Sequence, residues 1–137
     1  LQFNTAYTFS SYFFRDYSNA GISYSGNPLT GVPKNVVVSS VQVKLPASLY
    51  LFVQHNYTAG IPLNDAHTAF AAQYHLLQAK AGWAHAINLK TKLEIYAGAD
   101  NILDTRYSLG NDLNAVGNRY YNPSPLRNYY VGFNVVF

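Results

Sequence analysis

The chain has 137 residues, carries nine Lys and Arg against six Asp and Glu for a formal net charge of +3, and contains no Cys. Only 11% of its residues are charged, against roughly 25% in ordinary soluble domains, while 16% are aromatic, with 13 Tyr among them. Disulfides and thiol chemistry are excluded, the cations are scattered singly rather than clustered into the basic face that nucleic acid requires, and no stretch approaches the roughly 18 apolar residues of a membrane helix, so any membrane-spanning structure must be β.

Side chains at i, i+2 and i+4 share one face of a strand, and this period predicts six strands, near residues 1–14, 35–45, 48–57, 70–84, 91–101 and 127–137. Most have the roughly 9 to 11 residues of a tilted membrane strand rather than the 5 or 6 usual in soluble sheets. The chain opens inside the first run, at Leu1-Gln2-Phe3-Asn4, and we expect a longer parent chain. In the second run Val37, Ser39, Val41, Val43 and Leu45 oppose Val36, Val38, Ser40, Gln42 and Lys44. In the third, Leu49, Leu51, Val53 and Tyr57 oppose Tyr50, Phe52, Gln54 and Asn56, with His55 as the polar exception on the apolar side. The fourth sets Leu77, Ala79, Ala81 and Trp83 against Gln78, Lys80 and Gly82. Its start at Tyr74-His75-Leu76 blurs the phase, and the Ala-rich stretch leaves a helix over 66–81 as a competing reading, one with neither a cap nor a good apolar stripe. The fifth opposes Leu93, Ile95, Ala97 and Ala99 to Glu94, Tyr96, Gly98 and Asp100. In the sixth, Tyr129, Val131, Phe133, Val135 and Phe137 form an unbroken apolar face.

The connections alternate between long and short: 15–34, Pro46-Ala47, 58–69, 85–90 and 102–126. Outer-membrane barrels have short periplasmic turns and long external loops. The expected fold is therefore all-β, an antiparallel transmembrane β-barrel segment of six strands whose descending last strand ends at the periplasmic edge. Trp83, Tyr129, Phe133 and Phe137 are the expected membrane-girdle residues, with Trp83 and Phe137 at the periplasmic rim. Membrane barrels start at about eight strands, and an open edge in lipid leaves backbone groups unpaired, so further strands must complete the wall.

Three segments carry a family resemblance. Gly98-Ala99-Asp100-Asn101-Ile102-Leu103-Asp104-Thr105-Arg106-Tyr107 resembles the G-x-D-N-L-F-D-x-x-Y segment of TonB-dependent outer-membrane receptors, with Ile-Leu where Leu-Phe is usual. The run from Gly117 to Gly132, containing Arg119-Tyr120-Tyr121-Asn122-Pro123-Ser124-Pro125-Leu126-Arg127, is similar to the approach of that family to its final strand, and Gly26-Asn27-Pro28-Leu29-Thr30-Gly31-Val32-Pro33-Lys34 to a segment earlier in the barrel. The resemblance implies that residues 1–137 are the C-terminal part of a roughly 22-stranded barrel, with the plug domain and earlier strands outside the chain. It also implies a bacterial outer-membrane location and TonB-energised uptake of a scarce ligand, most often an iron-siderophore complex. The implied partners are outer-membrane lipid, TonB through the plug, the barrel-assembly machinery, which would read the terminal Phe137, and a small ligand such as a metal chelate. No cofactor is implied.

Among individual residues, Arg106, Tyr107, Arg119, Tyr120 and Tyr121, together with Arg127, could offer cations and aromatic faces to an anionic chelate. Asp100, Asn101 and Asp104 suit a turn, because Asn and Asp side chains bond nearby backbone. His55, His67, His75 and His85 show no metal-ligand spacing, and we expect no shared site. Glu94 and Asp100 face the same way but lie about 20 Å apart by strand rise. No G-x-S-x-G elbow or Gly-rich phosphate loop is present. Two other functions compete: an outer-membrane barrel enzyme, which needs Ser, His and an acid together near the external end, and a soluble β-sandwich carbohydrate-binding module.

Overall fold

The computed structural model describes residues 1–137 and contains twelve strands. In chain order they are β1 (Gln2–Phe9), β2 (Ser18–Asn19), β3 (Ile22–Ser23), β4 (Asn35–Lys44), β5 (Leu49–Thr58), β6 (Ile61–Pro62), β7 (Phe70–Ala71), β8 (Tyr74–Ala86), β9 (Lys92–Asp100), β10 (Ser108–Asn111), β11 (Tyr121–Pro123) and β12 (Asn128–Val136). The six long strands form one antiparallel sheet in the order β1-β4-β5-β8-β9-β12, so each pairs with its neighbour in sequence. The sheet is open, with β1 and β12 at its edges.

The register proves the faces. Residues directly opposite in an antiparallel pair point to the same side, and one pairing row runs Phe3–Val41–Val53–Ala79–Ala99–Tyr129 across all six strands. The next row toward the short turns runs Val43–Leu51–Ala81–Ala97–Val131, again with no polar member. This outward face has nothing packed on it: Val131 is 80% exposed and Phe133 75%. Only six of the 137 residues are buried, which rules out the two-layer core of a β-sandwich. The other sheets are two-stranded hairpins, β2–β3, β6–β7 and β10–β11, and each lies within one of the three long connections.

Sequential antiparallel strands place those long connections, 10–34, 59–73 and 101–127, at one end of the sheet. The turns 45–48 and 87–91 lie at the other. In the first turn Ala47 (φ 58°) and Ser48 (φ 62°) are both left-handed, the backbone of a tight primed hairpin turn. The first predicted strand overshoots: β1 stops at Phe9 rather than residue 14, because its partner β4 begins at Asn35 and Pro33 has no N–H for the ladder. The fourth run divides. Phe70–Ala71 pairs with Ile61–Pro62 in the loop layer, and the spanning strand starts at Tyr74; the competing helix over 66–81 does not form.

The inward face carries a recurrent device. Tyr50 lies opposite Gly82, Tyr96 opposite Gly132 and Tyr130 opposite Gly98, and each ring folds over its glycine. A Cβ at Gly132 would stand 2.5 Å from the Tyr96 ring, inside van der Waals contact. Covering a glycine with a cross-strand aromatic shields backbone that has no side chain of its own. Gly98→Val should therefore cost about 1 to 3 kcal/mol by overpacking, and Tyr130→Ala in the same chain should recover part of it. A urea titration of the single and double variants checks this, and purely additive losses would refute it.

Beside these rings Lys80 Nζ lies 3.2 Å from Glu94 Oε1, 3.9 Å from the Tyr96 ring centroid, and Tyr50 donates its hydroxyl proton to Glu94. Lys80–Glu94 is the only ion pair in the chain.

Candidate functional site in the long loops

The three long connections are tied together at Asp65. This residue sits at the tip of the β6–β7 hairpin, where the Asn64 side chain closes the turn by accepting from Thr68 N at 2.9 Å and His67 N donates to Asn64 O at 3.0 Å. From the first connection, Thr30 Oγ1 donates to Asp65 Oδ1 at 2.5 Å and the Tyr17 hydroxyl to Oδ2 at 3.1 Å, while Asn27 Nδ2 donates to the Asp65 carbonyl at 2.8 Å. From the third, Asn114 Nδ2 donates to Oδ2 at 3.1 Å, and Asn114 Oδ1 accepts from Asp65 N at 3.0 Å. Below the carboxylate, Leu63, Ala71 and Tyr120 form the only buried apolar cluster of the chain. Asp65 itself is 8% exposed. A carboxylate at such depth is tolerable because both oxygens are bonded.

Burial alone would push the Asp65 carboxyl upward, but the hydrogen bonds from Thr30, Asn114 and Tyr17 outweigh it and hold the group below its ordinary value. The same bond to Asp65 is the main cause that raises the Tyr17 phenol. With the folded pKa below the unfolded one, the carboxylate stabilises the loop layer fully above about pH 4, and that contribution disappears as pH falls through the folded value. Protease cleavage within 14–30, 61–71 and 112–121 should accordingly rise below pH 4 while the sheet stays protected; cleavage independent of pH would contradict this.

A cleft of about 300 Å³ opens above this knot. Tyr17, Tyr24 and Tyr120 supply aromatic walls, Asn19, Asn64 and Asn114 supply amides, and Asp65 supplies the one charge. Tyr17 and Tyr24 are positioned by the β2–β3 hairpin, whose turn residues Ala20 (φ 48°) and Gly21 (φ 79°) are both left-handed, and by Tyr24 N donating to Tyr17 O at 2.8 Å. The Asn19 side chain lies beside the Tyr17 hydroxyl, and the Asn64 amide bonds the Tyr120 hydroxyl at 3.2 Å. A larger recess of about 650 Å³, lined by Lys44, Tyr50, Lys80, Lys92 and Glu94, lies toward the short turns. It is the concavity of the inward face, and its central charges already pair with one another.

The residues singled out from sequence separate in space. Tyr120 is 6% exposed and lines the cleft. Tyr121 donates its hydroxyl to Phe70 O at 2.9 Å, and Tyr107 packs on Tyr74 with ring centroids 4.8 Å apart. Arg106, Arg119 and Arg127 are exposed, form no ion pair and do not line the cleft. Of the residues expected in a membrane girdle, Trp83 lies three residues from the short-turn end of β8, stacked on His85 at 5.2 Å, and Phe137 follows the short-turn end of β12. Tyr129 stands at the opposite, loop end, and Phe133, at the middle of β12, shares a pairing row with Ile95 and Trp83.

Asn101 and Asp104 hold the turn that follows β9. Asn101 Oδ1 accepts from Thr105 N at 2.9 Å, Asn101 Nδ2 donates to Thr105 O at 2.9 Å, and Asp104 Oδ1 accepts from Arg127 N at 3.0 Å. The histidines divide differently from expectation. His55 and His75 meet across β5 and β8, with His55 Nε2 3.0 Å from His75 Nδ1, because the register places the two one pairing row apart on the same face. Their ring nitrogens point at each other as hydrogen-bond partners, and no third ligand completes a metal set. His67 donates from Nε2 to Pro28 O at 2.8 Å. Ser48 Oγ lies 3.5 Å from His85 Nδ1 at the short-turn end of the sheet.

No family model matches the chain. In structure it is similar to the siderophore receptor PiuA from Acinetobacter baumannii, with a TM-score of 0.74 and 17% identity over 98% of this chain. It spans 19% of the length of that receptor. The likeness is one of fold: the open six-stranded antiparallel sheet has the architecture of part of a β-barrel wall.

Proposed function

We propose that the chain is the C-terminal wall of a bacterial outer-membrane receptor that captures a small ligand with its long loops, the plug domain and remaining strands lying outside residues 1–137. The single observation that carries this reading is the outward face, where one pairing row from Phe3 to Tyr129 is apolar across six strands and the next, from Val43 to Val131, across five, with no covering layer. Water-soluble proteins rarely expose apolar patches beyond a few hundred Å², whereas lipid supplies the missing layer. The loop hairpins gathered at one end and the fold likeness to a siderophore receptor support uptake of a ferric chelate, energised through TonB acting on the plug. The barrel's lumen then receives Lys80, Glu94 and the tyrosines of the inward face, and the cleft at Asp65 lies at the external mouth.

Because the chain has no native Cys, single Cys substitutions test the membrane reading cleanly. In outer-membrane vesicles Val131→Cys should resist a water-soluble maleimide, while Asn134→Cys on the inward face and Leu109→Cys in the loops should react. Equal labelling of Val131→Cys and Leu109→Cys would sink the proposal.

A further inference from the structure

The loop cleft has the wrong charge for the anionic chelate that the arginines suggest. Its one ionised side chain is Asp65, and no Lys, Arg or His lines it. The donors that surround the carboxylate, Thr30, Tyr17 and Asn114, are committed to its oxygens and cannot turn toward a ligand anion. The polar groups not committed to Asp65, the Asn19 amide beside the Tyr17 hydroxyl and the Tyr24 hydroxyl, are neutral and both donate and accept. Aromatic walls offer a negative ring face that attracts cations and repels anions. An anion entering this space loses water and gains a like-charged neighbour, the standard device for rejecting a partner.

We propose that the cleft discriminates by charge, admitting uncharged or cationic, carbonyl- and hydroxyl-rich ligands and excluding anionic ones. Resting on the receptor reading above, this selects neutral ferric trihydroxamates over ferric tris-catecholates, which carry three negative charges. Asp65 acts as a specificity residue through its field, and Asn19 and Tyr24 contact the ligand.

The test uses the full receptor in detergent micelles, titrated with a neutral ferric trihydroxamate and with a ferric tris-catecholate, following fluorescence quenching and retained iron absorbance. The neutral chelate should bind at least tenfold more tightly, which corresponds to about 1.4 kcal/mol. Tyr24→Ala should weaken its binding severalfold. Asn19→Lys, on the exposed β2–β3 hairpin and bonded to no atom of Asp65, should shift the preference toward the anionic chelate by tenfold or more. If both chelates bind equally, or Asn19→Lys leaves their ratio unchanged, charge selection is overturned while the receptor reading stands. If the folded receptor binds neither chelate, iron uptake and this proposal fail together.

Discussion

Placing an arginine on the outward face should unfold the sheet more readily than placing the same arginine on the inward face. Ile95 lies opposite Phe133 in β12 and Trp83 in β8, on the face proposed to meet lipid. Arginine there has no partner, and between the rim and the midplane, where the cost reaches about 2 to 4 kcal/mol, we expect a loss of about 1 to 3 kcal/mol. Asn134 lies one position along β12 and on the other side, directly opposite Glu94. Asn134→Arg reaches the lumen and can pair with that carboxylate, so its cost should stay below about 1 kcal/mol. Urea unfolding of the full receptor in lipid vesicles, followed by far-ultraviolet circular dichroism, compares both variants with the parent. Equal destabilisation would mean that the two faces see the same solvent, and the membrane reading would fall with it.

Removing the carboxylate of Asp65 should have a comparably large but local effect. Asp65→Ala strands three donors from two different connections at once. Bonds to a charged acceptor contribute about 1.5 to 3 kcal/mol each when intact; partial access of water to Tyr17 and Asn114 reduces the sum, and we expect the loop layer to lose about 2 to 4 kcal/mol. Thr30→Val removes one bond and should lose about 1 to 2 kcal/mol. Hydrogen exchange distinguishes this from global unfolding. Amides of residues 61–71 and 112–121 should exchange faster, while those of β4, β5 and β8 keep their protection. Uniform acceleration across the sheet, or none in the loops, would refute the assignment of Asp65 as the tie between connections.

The sheet was legible in the sequence because its governing signal is local. Val, Leu, Ile and Phe recurring every second residue mark a face without knowledge of the partner strand, and all five pairings then join like face to like face. Strand ends are decided by the partner instead, which explains the overshoot of β1 and the division near residue 70. Asn101 was readable for the same reason as the strands, since its two bonds with Thr105 close within four residues, whereas the Asp104 carboxylate reaches 23 positions to Arg127 N. The Asp65 knot was not. Its bonds join residues 35, 48 and 49 positions apart, and a single Asp beside Asn64 has no local pattern that sets it apart from any turn. The meeting of His55 and His75 lay between these extremes: it follows from the β5–β8 register, a quantity that alternation alone leaves undetermined by steps of two.

That indeterminacy gives the tyrosine–glycine pairs a consequence for assembly. Sliding β12 along β9 by one residue would expose polar side chains to lipid, and the hydrophobic effect penalises it. A slide of two restores inside to inside, so burial is blind to it. The paired tyrosines are not: moved two positions toward the turn, Tyr130 would face Tyr96 in place of Gly98, and two rings would compete for the volume that one now fills. Moved the other way, it would face Asp100. The glycines thus act as keyholes for a two-residue ruler, rejecting the misalignments that an alternating sequence would otherwise accept as the strands zip together.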